Sequence, residues 1–121
     1  MRQKIQITNA YFEKEQLILT AEQRFPNNGV KATGQMLVDS DAFSFIYITE
    51  VEEDYTYIIL SESIWTNLKE ALDSKLPVYL KMDELRLELI NIHNELQYLI
   101  ENIKGNRNYG EKMVQKVEST F

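Results

Sequence analysis

The stretch VYLKMDELRLEL, Val78 to Leu89, decides the fold because it carries two incompatible periodicities. Read with a period of two, Val78, Leu80 and Met82 alternate with Tyr79 and Lys81. Leu85, Leu87 and Leu89 then alternate with Arg86 and Glu88, and Asp83-Glu84 stand between the two runs as a turn. Read with a helical period, Met82, Leu85, Leu89, Ile92, Leu96, Leu99 and Ile103 make a 3-4 seam of the coiled-coil kind. The helical reading favours a dimer formed through that seam. The strand reading lays the next helix over its own sheet. Alternation on both sides of a two-residue gap favours the strands, so residues 77–90 are expected to form a β-hairpin.

Upstream, residues 1–60 read mostly as strand. An extended run from Ile5 to about Phe12 is answered by Gln16 to Thr20 across Glu13-Lys14-Glu15, a hairpin pattern. Residues 24–34 hold Pro26, Asn27, Asn28, Gly29 and Gly34, which is loop chemistry. Met36–Val38, Phe43–Ile48 and Tyr55–Leu60 supply three further apolar runs. The acidic group Glu50, Glu52, Glu53 and Asp54 lies between the last two and reads as a solvated hairpin tip, with an acidic docking patch as the alternative.

Residues 61–76 read as a helix opened by Ser61 or Ser63, with Ile64, Leu68, Ala71, Leu72 and Leu76 on one face and Pro77 as its stop. Asn91 is expected to cap a second helix over 91–104. The sum is one α+β domain over 1–121: an antiparallel sheet of about six strands, able to curl, one inserted helix, and a C-terminal helical pair ending in a short helix over 108–121.

Composition excludes several functions. The chain has 121 residues and a net charge of −6, which opposes attraction to nucleic-acid phosphates or anionic lipid. Its apolar runs are too short to cross a bilayer, and MRQKIQITNA lacks the apolar core of a signal peptide, so a cytoplasmic protein is expected. The absence of cysteine removes disulfides, thiol nucleophiles and thiolate metal sites. His93 alone cannot build a zinc site and reads as solvated or capping. The seven tyrosines read as sheet packing.

GNRNYGEK, Gly105 to Lys112, resembles a phosphate loop but departs from it. Glu111 stands where the lysine is needed, no Ser or Thr follows Lys112, and a helix rather than a strand precedes it. A helix–helix corner accounts for more: Gly105 in the left-handed position after a helix, Asn108 as N-cap, and Glu111 completing a capping box. Gly110 then has no local reason, since glycine costs about 1 kcal/mol in a first helical turn. An anion near Asn108 and Gly110 is the alternative, opposed by Glu111. Asp39 and Asp41, in VDSD, read as turn formers, with metal-binding or catalytic carboxylates as the alternative. Trp65 reads as a core aromatic, with an exposed partner anchor as the alternative.

GQMLVDSD at 34–41, Trp65, ENIKGNRNYG at 101–110 and the closing VEST-F resemble an uncharacterised family of small cytosolic proteins from Bacillus-type and Staphylococcus-type bacteria. The resemblance implies a bacterial, cytosolic protein and assigns no activity. It directs attention to Asp39, Asp41, Asn106, Asn108, Tyr109 and Gly110.

The leading functional expectation is a non-enzymatic interaction or regulatory module without cofactor or metal, its partner another protein or a second copy. A small anionic ligand held between the 105–110 corner and the 39–41 turn is the alternative. A metal-dependent hydrolase using Asp39 and Asp41 is the third.

Overall fold

A computed structural model describes residues 3–23 and 29–121. The turn expected at Pro26, Asn27 and Asn28 lies outside the described residues. The described residues form eight strands: β1 (Gln3–Gln6), β2 (Asn9–Glu13), β3 (Gln16–Thr20), β4 (Lys31–Asp39), β5 (Ser44–Val51), β6 (Asp54–Ser61), β7 (Val78–Met82) and β8 (Leu85–Glu88). Three α-helices accompany them: α1 (Trp65–Ser74), α2 (Ile92–Ile103) and α3 (Glu111–Thr120), with single 3₁₀ turns at Glu62–Ile64 and Arg107–Tyr109.

The class is α+β, but the expected six-stranded antiparallel sheet is corrected. The strands form two mixed sheets of four, ordered β1-β6-β5-β4 and β2-β3-β7-β8. Each contains one parallel pair, β1 with β6 and β3 with β7. The cause lies at Ile7-Thr8. Successive N–H groups of an extended chain point to opposite sides. Here the N–H of Ile7 donates to the Ile59 carbonyl and that of Thr8 to the Thr20 carbonyl. The expected single strand from Ile5 to Phe12 therefore leaves one sheet and enters the other, joining them along one side.

The opposite side is closed by side chains. The hydroxyl of Tyr47 on β5 donates to the Ile90 carbonyl (2.7 Å) just after β8, and accepts the N–H of Gly34 on β4 (3.2 Å). Asn91 Nδ2 donates to the Gly34 carbonyl, and the Met36 N–H donates to Glu95 Oε1 on α2. Gly34 sits at φ +76 in an irregularity of β4 between Ala32 and Met36, so part of the expected 24–34 loop is strand. These bonds blunt the edge of β4, which would otherwise offer free backbone groups to another strand.

Between the sheets, Phe45, Tyr47, Ile58 and Leu60 meet Leu17, Leu19, Val78 and Leu80. α1 adds Leu68 and Ala71, α2 adds Leu96, Ile100 and Ile103, and α3 adds Met113 and Val117. The stretch 78–89 forms the hairpin, with Met82 opposite Leu85. Its Leu80 and Val78 are fully buried in a central strand, a position that a continuous helix could not give them.

Helix starts differ from expectation. Ser61 precedes the 3₁₀ turn without a side-chain capping bond, and α1 begins at Trp65. Asn91 precedes α2 in the left-handed conformation, and its side chain bonds Gly34 and Asn94 rather than the helix end.

The acidic hairpin tip pairs Val51 with Asp54 across Glu52 and Glu53, at φ +48 and +72. Such two-residue turns favour Asn-Gly, because ordinary side chains strain at positive φ. Replacing the pair, Glu52→Asn with Glu53→Gly, is expected to stabilise the fold by about 1 kcal/mol, a rise of about 4 °C in Tm. A scanning-calorimetry Tm that stays level or falls would show the acidic turn to be unstrained.

Candidate functional site

The 39–41 turn and the 105–110 corner come together. Ser40, Asp41 and Phe43 line one open cleft of about 420 Å³ with Tyr109, Gly110, Glu111 and Lys112. Asp39, Asn106 and Asn108 do not line it. Asp39 Oδ1 accepts the Ala42 N–H, three residues on, at 3.2 Å, a bond across the turn that gives this carboxylate a local task. Asp41 is exposed. Among the described residues, no group of three or more His, Cys, Asp or Glu is placed to hold a metal ion.

The corner itself departs from the expected capping box. Asn106, not Asn108, does the capping: its Oδ1 accepts the Asn108 N–H at 3.1 Å and starts the 3₁₀ turn. Gly105 has the expected left-handed φ of +72, and its N–H donates to Glu118 Oε2. α3 begins two residues later than a cap at Asn108 requires, because Gly110 at φ +91, ψ 136 reverses the chain between the two turns. Among the described residues, nothing beyond its two chain neighbours lies within 4 Å of a Cβ built at Gly110, so the need for glycine is conformational, not steric. Gly110→Ala is therefore expected to lower stability by about 1–2 kcal/mol, seen in urea denaturation. An unchanged midpoint would mean that the corner relaxes without strain.

The cleft carries two exposed carboxylates, Asp41 and Glu111, against the one ammonium of Lys112. The nearby Lys116 is committed elsewhere: it pairs with Glu62 at 2.9 Å and lies 4.9 Å above the Phe43 ring. This balance gives an anion little attraction. Tyr109 turns part of its ring onto the core.

Trp65 is corrected as an exposed anchor. It is 1% exposed, its Nε1–H donates to the Leu60 carbonyl at 3.0 Å, and Phe45 and Phe121 pack on its ring. His93 is half-buried on the rim of a cleft of about 400 Å³: its Nε2–H donates to the Leu76 carbonyl, and Nδ1 is buried with no partner among the described residues.

The residue pattern left one surface unmarked. On the first sheet, cross-strand register puts Leu37, Ile46 and Ile59 in one row and Ile48 with Tyr57 in the next, on the face turned away from the core. Leu37 and Tyr55 on this face keep 43% of their surface. The outer face of the second sheet is different. Arg86 stacks 4.6 Å over Tyr79 and bonds Gln16, so polar groups dress the single central isoleucine, Ile18. The signal for the first face was present in the sequence, since Phe45-Ile46-Tyr47-Ile48 is apolar at consecutive positions. A strand buried on one face only alternates; one that does not alternate has an apolar outer face too.

Among the described residues, no helix is long and apolar enough to cross a membrane. No solved structure matches the chain. A 50% identical protein of Bacillus pumilus covers all of this chain and 99% of its own length. The YjbL protein of Bacillus subtilis is 44% identical over the same extents, and a Lysinibacillus sphaericus protein is 40% identical over all of this chain and 95% of its own. All three carry the family name UPF0738, and residues 5–121 match the model of that family, including the N-terminal hairpin and both long motifs. The chain belongs to UPF0738, a family of unknown function.

Proposed function

We propose that the chain is a non-enzymatic protein-interaction module of the bacterial cytoplasm, docking its partner on the outer face of the β1-β6-β5-β4 sheet. One observation carries this reading: Leu37, Ile46, Ile48, Tyr57 and Ile59 are contiguous and apolar on the face turned away from the inter-sheet core, with Leu37 exposed, Tyr57 and Ile59 half-buried, and Ile46 and Ile48 buried between them. Around them stand Lys4, Gln6, Lys31, Asp39 and Glu50, the apolar centre and polar rim of an interface.

The absence of cysteine makes a clean test. Leu37→Cys gives a single thiol on the face, and Tyr98→Cys, on α2 at a residue 62% exposed, gives a control. Maleimide labelling at position 37 is expected to be at least about fivefold slower in concentrated cell extract than in dilute purified protein, with position 98 unchanged. Equal rates at both positions in both media rule the docking face out.

A second reading has its own observation, the shared cleft of the 39–41 and 105–110 segments. It would be a small anionic-ligand site using Lys112. Inorganic phosphate and nucleoside monophosphates should then raise Tm in the native chain and not in Lys112→Gln. No rise at millimolar ligand discards this reading.

A further inference from the structure

We infer that the occupant of the docking face is a second copy of the chain, packed sheet on sheet about a two-fold axis running across the strands. The inference rests on the docking reading above and supplies its partner. Register fixes what each level of the face presents. Asp39, Ser44 and Ser61 form the row at one end, and Lys31, Glu50 and Tyr55 the row at the other. The apolar rows lie between them.

A two-fold axis across the strands lays each strand, reversed, over its own copy. The row of Leu37, Ile46 and Ile59 then meets the row of Ile48 and Tyr57, so apolar rows cover apolar rows. At the ends, Lys31 of one copy meets Asp39 of the other, and Asp39 meets Lys31. One strand thus carries both halves of an ion pair, at opposite ends and on the same face, and the symmetry makes the pair twice. Among the described residues, neither Lys31 nor Asp39 belongs to an ion pair within the chain. Sheets packed in this aligned way stand about 10 Å apart, within reach of a lysine and an aspartate extended toward each other. An axis along the strands would lay β4 over β1 instead, where Lys4 and Gln6 offer no carboxylate. The charge pattern selects the first arrangement.

The dimer differs from the one that a continuous 82–103 helix would have made. That seam does not exist in the fold, since Met82 and Leu85 belong to a hairpin.

Sedimentation equilibrium on the full chain provides the test. The native chain is expected to self-associate, and Lys31→Glu and Asp39→Lys each to weaken association at least about tenfold by facing like charges. Mixing the two variants restores association. The glutamate introduced at position 31 of one chain then meets the lysine introduced at position 39 of the other, while the native pair survives at the opposite end. Leu37→Asp, at a half-exposed position whose folding can be checked by circular dichroism, is expected to weaken association without relying on the Asp39 turn. A native chain that stays monomeric at about 1 mM overturns the inference and leaves docking of a different protein to the thiol experiment. A dimer indifferent to all three substitutions overturns it as well.

Discussion

Trp65→Ala is expected to cost about 4 kcal/mol, the largest single loss in this molecule. A domain of this size has only about 5–15 kcal/mol to lose. The indole fills the junction where α1 leaves the sheets. Its centroid lies 5.2 Å from that of Phe45 on β5 and 5.7 Å from that of Phe121 after α3. Phe45 and Phe121 also meet edge to face at 6.0 Å, so removing the indole leaves two rings facing a cavity. The Leu60 carbonyl loses its donor at the same time. Trp65→Phe keeps most of the volume and should cost about 1–2 kcal/mol, chiefly from that lost hydrogen bond. Chemical denaturation followed by circular dichroism measures both. A loss below about 1 kcal/mol for the alanine variant would place the indole outside the core.

Tyr47→Phe is expected to cost about 2–3 kcal/mol, although it removes one oxygen atom. That oxygen lies where the two sheets close, donating to Ile90 and accepting from Gly34. Phenylalanine leaves the buried Gly34 N–H and the part-buried Ile90 carbonyl without this partner. The same geometry sets a pH dependence. Burial pushes the Tyr47 hydroxyl up from 10.0 to about 12; the Gly34 N–H works against the shift, and Glu88 and Glu95 add to it. The folded pKa is raised, so the stability it represents is fully present below about pH 10 and lost as pH climbs toward about 12. Native protein should therefore exceed Tyr47→Phe in stability by about 2–3 kcal/mol at about pH 9, and about 2 kcal/mol of that margin should vanish by about pH 11.5. Urea denaturation of both proteins at the two pH values checks this. A margin independent of pH would mean that the hydroxyl is not held as described.

These two residues also mark what the sequence can and cannot convey. The hairpin at 78–89 was legible because its period-two pattern is local and its turn is two residues long. Trp65 was legible as core from its place beside a helical apolar stripe. The change of sheet at Ile7-Thr8 was not, because nothing in the residue types says on which side each N–H finds its carbonyl. The parallel pairing of β1 with β6 was lost with that bend, and the parallel pairing of β3 with β7 joins segments about 60 residues apart, which no local pattern marks. At the corner, Gly105 reads correctly from its place after an apolar helix. Gly110 does not, because its reason is a φ of +91 set by the 3₁₀ turn that Asn106 starts. The meeting of the 39–41 turn with the 105–110 corner was expected as the alternative site, and Ser40, Asp41, Tyr109 and Gly110 do share a cleft, but Asp39, Asn106 and Asn108 stay out of it.

The central claim is that a protein surface covers the outer face of the first sheet. The most direct measurement places a photo-crosslinking amino acid at position 37, with position 98 as control, and irradiates living cells of the source bacterium. The account predicts an adduct from position 37 at twice the 14.3 kDa of one chain and none of that mass from position 98. An adduct at another mass would keep the docking face and replace the second copy with a different partner. No adduct from position 37, or the same adducts from both positions, would contradict the account.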